Sequence, residues 1–230
     1  FKNFTISTPL QDDDAVTFTL AGRQINEIRN LVDLGAPVIF TTSGEWAIGG
    51  NSAGVLVPAE VNPKQQSYNG SSELQPIVIG SSAIYVQARG SIVRDLLFDF
   101  QSDGYRGTDL TIFNAHLFDD YSISDWAYQQ IPHSVVWLVR SDGTMLGLTY
   151  VRDQQIIGWS RHDTDGTYEN VAVIPEGTDD ALYTVVKRST VKQFATLNAS
   201  RPDRLSILKM RSLWIAPLVL TAGTRTILLR

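Results

Sequence analysis

Four acidic side chains set the first chemical question. Hydrolysis of a glycosidic bond needs two carboxyl groups about 5–10 Å apart, one to protonate the leaving oxygen and one to attack or to activate water. Glu45, Asp95, Asp103 and Asp125 are the candidates, and none is distinguished by its neighbours in the chain. A zinc site is not indicated. The chain has no cysteine, and His116, His133 and His162 show no paired spacing of the His-x3-His kind. Asp163-x-Asp165-Gly166-x-x-Glu169 places oxygen ligands at alternate positions around a glycine, as a calcium loop does. It lacks the twelve-residue frame and flanking helices, and it reads as a tight turn. Ser52, in Gly49-Gly50-Asn51-Ser52-Ala53-Gly54, does not meet the Gly-x-Ser-x-Gly spacing of a nucleophile elbow. The same loop opens no helix and carries no Lys-Ser/Thr pair, so it is not read as a phosphate cradle. Asp12-Asp13-Asp14 reads as a solvated turn. The expectation is therefore no catalytic, cofactor-binding or metal-binding residue.

The elements that would position any such group are mostly strands. The 230 residues, 43% hydrophobic and 19% charged, suit an ordered domain with a sizeable core. Short β-rich runs separated by Gly, Asp or Ser turns recur in Pro37–Ile48, Pro76–Leu97, Ser134–Arg161 and Asn170–Arg188. The clearest unit is Val135–Arg140, Thr144–Arg152 and Gln155–Arg161, whose first turn holds Asp142-Gly143, a hairpin signal. Val38–Thr42 and Trp46–Ile48 form another hairpin; Ile77–Ile79, Ala83–Gln87 and Ile92–Phe98 form three more strands. Val55–Gly70 and Ser102–Thr108 read as a polar connection and a loop. Two helices interrupt the cadence. Ile25, Ile28, Leu31 and Val32 recur at helical spacing within Arg23–Leu34, with Gly35 at the C-cap position, and Leu110–Phe118 follows Thr108 or Asp109 as cap. The fold class expected is all-β, built of β-propeller-like blades in a partial propeller, with one or two short helical insertions.

Charge is uneven. The net charge is −5, yet residues 201–230 carry six Lys or Arg against one acid, which leaves −10 on residues 1–200. A chain of this sign has no footprint for nucleic acid. There is no apolar signal segment near Phe1, and the absence of a starting Met suggests a piece of a longer or processed protein.

Arg23-Gln24-Ile25-Asn26-Glu27-Ile28, then Leu31-Val32, Val38-Ile39-Phe40-Thr41-Thr42-Ser43-Gly44-Glu45-Trp46 and Gly54-Val55-Leu56-Val57-Pro58 begin a series of motifs. The series continues through Pro76-Ile77-Val78-Ile79-Gly80 and Ala88-Arg89-Gly90-Ser91-Ile92-Val93-Arg94. In that order the motifs resemble the tail tubular protein B family of short-tailed phages and prophages, the tail nozzle subunits. Asp125-Trp126-Ala127-Tyr128-Gln129-Gln130 and Trp159-Ser160-Arg161-His162-Asp163-Thr164-Asp165-Gly166 resemble the prophage members. The resemblance covers Asn3–Arg188 and corresponds to a middle portion of longer proteins. It implies a non-catalytic virion protein that forms a homo-oligomeric ring beside other tail and adaptor proteins. DNA would pass through without specific binding, the location would be the virion tail after assembly in the bacterial cytoplasm, and no membrane would be involved. The family brings no catalytic residues. An acidic bulk would suit a channel that must not hold DNA.

The expected organisation is 1–190 as the propeller-like portion and 191–230 as an atypical basic tail, either out of frame or disordered. Arg204–Pro217 is basic and unpatterned there. The alternative reading is a carbohydrate-binding or glycosidase-type propeller, an adhesin or hydrolase. Its only sequence support is Ser43-Gly44-Glu45-Trp46, faintly similar to the Ser-x-Asp-x-Gly-x-x-Trp box of sialidase-type propellers and not repeated.

Overall fold

The computed structural model describes residues 6–12, 14–22, 26–51, 54–188, 191–198, 205–208, 219–222 and 225–228. Among them, four consecutive four-stranded antiparallel sheets follow one another in chain order. Sheet 1 is β1 (Ile28–Asp33), β2 (Pro37–Thr41), β3 (Glu45–Gly49) and β4 (Asn62–Ser67). Sheet 2 is β5 (Ile77–Ile79), β6 (Ser82–Val86), β7 (Val93–Asp99) and β8 (Gly104–Asp109). Sheet 3 is β9 (Ile123–Gln129), β10 (Val135–Arg140), β11 (Met145–Val151) and β12 (Ile156–His162). Sheet 4 is β13 (Thr167–Glu176), β14 (Asp179–Arg188), β15 (Val191–Asn198) and β16 (Leu205–Leu208). Each is a meander, every strand pairing with the next. A separate hairpin joins β17 (Val219–Ala222) to β18 (Arg225–Leu228).

The four stretches of the sequence cadence fall one in each sheet, and the architecture is all-β. Alternation along a strand decides which neighbour each side chain meets. In β6, Ala83 and Tyr85 pack with Val38, Phe40 and Ala47 of sheet 1. The intervening Ile84 and Val86 pack with Val136, Leu138, Leu146 and Leu148 of sheet 3. The same division recurs in β10, where Val139 and Trp137 join Met145, Tyr168, Val171, Leu182 and Val186 in a core shared with sheet 4. Sheets 2 and 3 are thus covered on both faces, and consecutive sheets meet face to face along three apolar seams. On the far side of sheet 1, Ile39, Trp46 and Ile48 are covered by Leu20 and Val61. Strands of like position lie side by side: β4 beside β8, and β9 beside β13.

Several expectations are corrected. Arg23–Leu34 is not a helix. Arg23–Ile25 lie outside the described residues, and Ile28–Asp33 is strand β1, paired through Leu31↔Ile39 and Val32↔Val38. Gly35, read as a helix cap, sits at the tip of the β1–β2 hairpin, where its N–H donates to Asp33 Oδ1 at 3.0 Å. The supposed helical stripe is not buried as one: Val32 enters the core while Leu31 is 67% exposed. Tertiary pairing with the β2 strand overrides a short apolar spacing that fits either period.

Leu110–Phe118 is only a 3-10 turn over Ile112–Leu117, broken by non-helical geometry at Asn114. The Asp109 carboxylate accepts from Thr111 N–H at 2.7 Å, so it closes a local Asx turn rather than capping an α-helix. A second 3-10 turn covers Arg152–Gln154. The polar connection and the loop each contain a strand, β4 and β8. The fourth sheet crosses the boundary set between 190 and 191, because β15 pairs with β14 along Ala181–Arg188. Of Arg204–Pro217, Leu205–Leu208 is β16 and the remainder lies outside the described residues.

Candidate functional site

The structure separates the carboxylates that a hydrolase would need to bring together. Glu45, Asp95 and Asp125 each sit in a different seam. Glu45 opens β3 and is fully buried in the seam between sheets 1 and 2. One carboxylate oxygen accepts from the Ser67 hydroxyl. The other, Oε1, makes no hydrogen bond of ordinary geometry, and neither does the hydroxyl of Tyr85 across the seam. Burial raises the Glu45 carboxyl above its ordinary range, opposed by Ser67, Tyr85 and the Arg94 charge. The Tyr85 hydroxyl is pushed up by burial and by the neighbouring Glu45.

Asp95 lies on β7 in the seam between sheets 2 and 3, and only 1% of it is exposed. Its Oδ1 accepts from Thr108 N–H at 2.9 Å. Its Oδ2 accepts from the Tyr150 hydroxyl at 3.0 Å and from the Arg152 guanidinium. Asp125, on β9, crosses to sheet 4, where Oδ2 accepts from Val171 N–H at 2.9 Å while Oδ1 accepts from Trp126 N–H at 2.9 Å. Asp180, which the sequence did not single out, reinforces that seam from β14 by accepting from Gln130 and Ile131 N–H at 2.8 and 2.9 Å. Asp103 is exposed in the β7–β8 turn, in a left-handed conformation with φ 47°. Two of the four candidates, Asp95 and Asp125, thus bond one sheet to the next, and Glu45 is buried with its hydrogen bond inside sheet 1.

The histidines are dispersed. His116 and His133 are exposed. His162 packs edge-on to Trp137 with ring centroids 5.0 Å apart, and Ser160 Oγ lies 3.0 Å from its Nε2. Burial of the ring lowers its pKa. The calcium-like segment is the turn from β12 of sheet 3 to β13 of sheet 4. Asp163 takes a hydrogen bond from Arg161 at 3.0 Å, and Glu169 pairs with Lys192 at 2.7 Å. Among the described residues, no three His, Asp or Glu are grouped to hold a metal. Ser52 lies outside the described residues, as does Asp13. Asp14 is buried rather than solvated, accepting from Ser7 N–H at 2.9 Å, Ser7 Oγ at 2.8 Å and Gln11 N–H at 2.8 Å.

A cavity of about 600 Å³ opens at one end of the seam between sheets 1 and 2, lined by Gly22, Thr42, Ser43, Gln65, Tyr68, Asn69, Gln87, Ala88 and Arg89. The stretch that carries Asn69 then ties the two sheets together. Ser71 N–H donates to Thr41 O at 2.8 Å, and Ala88 N–H donates to Gly70 O at 3.1 Å. Gly70 is required there: its φ is +70°, and a Cβ would stand 2.2 Å from Thr42 O. In the sequence this stretch is only the end of a polar connection, and the juxtaposition of three loops is not visible there.

Among the described residues, no helix is long and apolar enough to cross a membrane. Neither the protein-family models nor the curated proteins with which the chain was compared show a match.

Proposed function

We infer that this chain is a non-catalytic scaffold: a propeller-like portion of a phage or prophage tail nozzle subunit, working in a homo-oligomeric ring through which DNA leaves. The observation that carries the scaffold reading is the serial stacking of four meanders with apolar cores between them. Neighbouring strands of like position, as in β4 beside β8 and β9 beside β13, are what a radial array of blades would give. The tail assignment itself rests on the ordered motifs from Arg23 to Gly166 that resemble nozzle proteins.

Physically, such a scaffold must resist deformation while a duplex passes. Seams that combine packed apolar side chains with carboxylates bonded to the next sheet, as at Asp95 and Asp125, supply resistance to sliding. An acidic surface would add to this by lacking the multi-phosphate attraction that would stall DNA. Ring closure requires heterologous contacts repeated about an axis.

The test is negative-stain electron microscopy of the full-length gene product, with sedimentation to measure its mass. Closed rings are the expected outcome. A stable monomer that cleaves glycans would overturn the reading.

A further inference from the structure

We propose that the cavity at the end of the seam between sheets 1 and 2 is a saccharide-binding site, with preference for a sugar that carries a carboxylate. This goes beyond the scaffold role and does not depend on it.

The volume, about 600 Å³, is that of a small-molecule site. Its walls are amides, hydroxyls and one aromatic ring, which is the wrong lining for an apolar ligand. The amides are already oriented by the protein. Gln65 donates its Nε2 to Ser67 O at 3.2 Å, which leaves its oxygen as an acceptor for a ligand. Asn69 donates its Nδ2 to Ser67 Oγ at 3.1 Å, with the same consequence. Gln87 is held the other way: its Oε1 accepts from Arg94 Nε at 2.8 Å, so its NH₂ remains as a donor. Two acceptors and a donor, fixed before binding, match the mixed donor and acceptor character of vicinal sugar hydroxyls. Tyr68 is 78% exposed beside them and offers a ring face to the C–H face of a pyranose. Among the described residues, Arg89 is the one charged residue of the lining, in a chain whose net charge is −5. A guanidinium with no acid beside it among the described lining residues selects a carboxylate. The hydrogen bonds that tie Gly70–Ser71 to Thr41 and Ala88 keep the three contributing loops in register.

Saturation-transfer NMR on the intact chain tests this with glucose, glucuronate and N-acetylneuraminate, and with acetate and inorganic phosphate as competitors. The expected result is transfer to ring protons of the acidic sugars at millimolar concentration, with glucose weaker. Tyr68→Ala, an exposed position that leaves the core intact, weakens binding about tenfold. Arg89→Ala removes the preference for acidic sugars over glucose. The proposal is overturned if the wild-type chain shows no transfer, or if both variants bind unchanged. It is also overturned if acetate or phosphate displaces the sugars at equal concentration, which would mark a general anion site. Ring formation by the same sample is read separately, so failure here leaves the scaffold reading standing and the reverse also holds.

Discussion

Replacing Asp95 tests whether a single buried carboxylate holds sheets 2 and 3 in register. In Asp95→Ala three donors lose their acceptor: Thr108 N–H, the Tyr150 hydroxyl and the Arg152 guanidinium. The losses are unequal. Arg152 is 41% exposed along its side chain and turns to water, so its ion pair contributes no more than about 1 kcal/mol. Thr108 is exposed and finds water in part, at a cost of about 1 kcal/mol. Tyr150 is buried and, with Arg152 turned to water, keeps only Ser82 Oγ at 3.3 Å, which puts its share at roughly 1–2 kcal/mol. The sum is about 3 kcal/mol. With a urea slope of about 2 kcal/mol/M the unfolding midpoint falls by about 1.5 M. Tyr150→Phe alone costs about 1 kcal/mol, and in the double variant the two losses fall short of additivity by a similar amount. Equilibrium urea unfolding of the four proteins, followed by tryptophan fluorescence, measures each quantity. A midpoint for Asp95→Ala within about 0.25 M of the parent would refute the reasoning, because it would mean that the seam does not use this carboxylate.

Other consequences are equally direct. Glu45 is held above its ordinary value of 4.5 by burial, so its folded form favours the proton. That contribution to stability is fully present below the ordinary value and is lost as pH rises through the folded one. Glu45→Gln should therefore raise the melting temperature at neutral pH and flatten its dependence on pH above the ordinary value of 4.5, as thermal scans from acid to neutral pH would show. Gly70→Ala meets both a positive φ and the Thr42 carbonyl and costs about 3 kcal/mol, whereas Gly177→Ala, at φ +66° with open space around the Cβ, costs about 1 kcal/mol. Chemical denaturation of the pair separates steric clash from backbone strain. Leu138→Ala, fully buried in the seam between sheets 2 and 3, costs about 3 kcal/mol in the same assay.

How much of this was legible in the chain depends on where a strand lies. Central strands such as β2, β6, β10 and β11 are buried on both faces and carry apolar runs (Val38-Ile39-Phe40, Ala83-Ile84-Tyr85-Val86), so composition alone marks them. Two polar edge strands escape the sequence for the converse reason. β4 reads Asn62-Pro63-Lys64-Gln65-Gln66-Ser67 and β8 reads Gly104-Tyr105-Arg106-Gly107-Thr108-Asp109. Each is polar because it borders solvent, and each is a strand only because a neighbour supplies its hydrogen bonds. β1 was lost to the helix period, since over six residues Ile28, Leu31 and Val32 fit either spacing. The cavity was illegible for a different reason: Thr42, Tyr68 and Arg89 belong to separate turns, and nothing local in any of them points to the others.

The carboxylates show why residue type is a weak guide to chemistry in a stacked fold. A hydrolase and a stack of sheets both need buried acids, but for opposite ends. A hydrolase needs two of them converging on an open cleft with a free oxygen on each. A stack needs one at each seam, saturated by donors from the next sheet, because an apolar seam alone tolerates sliding by a residue whereas an acid matched to particular donors does not. Asp95 and Asp125 approach the second description: both oxygens of each accept, one from a donor of their own sheet and the other from the next sheet. Glu45 departs from it, since its bonded oxygen is held by Ser67 of its own sheet, and neither its other oxygen nor the Tyr85 hydroxyl across the seam makes a hydrogen bond of ordinary geometry. The seam between sheets 1 and 2 thus holds buried polar atoms without an ordinary hydrogen bond. It is also the seam whose end carries the polar cavity, with Asn69 and Glu45 both bonded to the Ser67 hydroxyl. A ligand that draws Asn69 toward itself would loosen one of the restraints on Ser67. The Glu45 carboxyl is therefore the buried group whose protonation should respond when the cavity is filled.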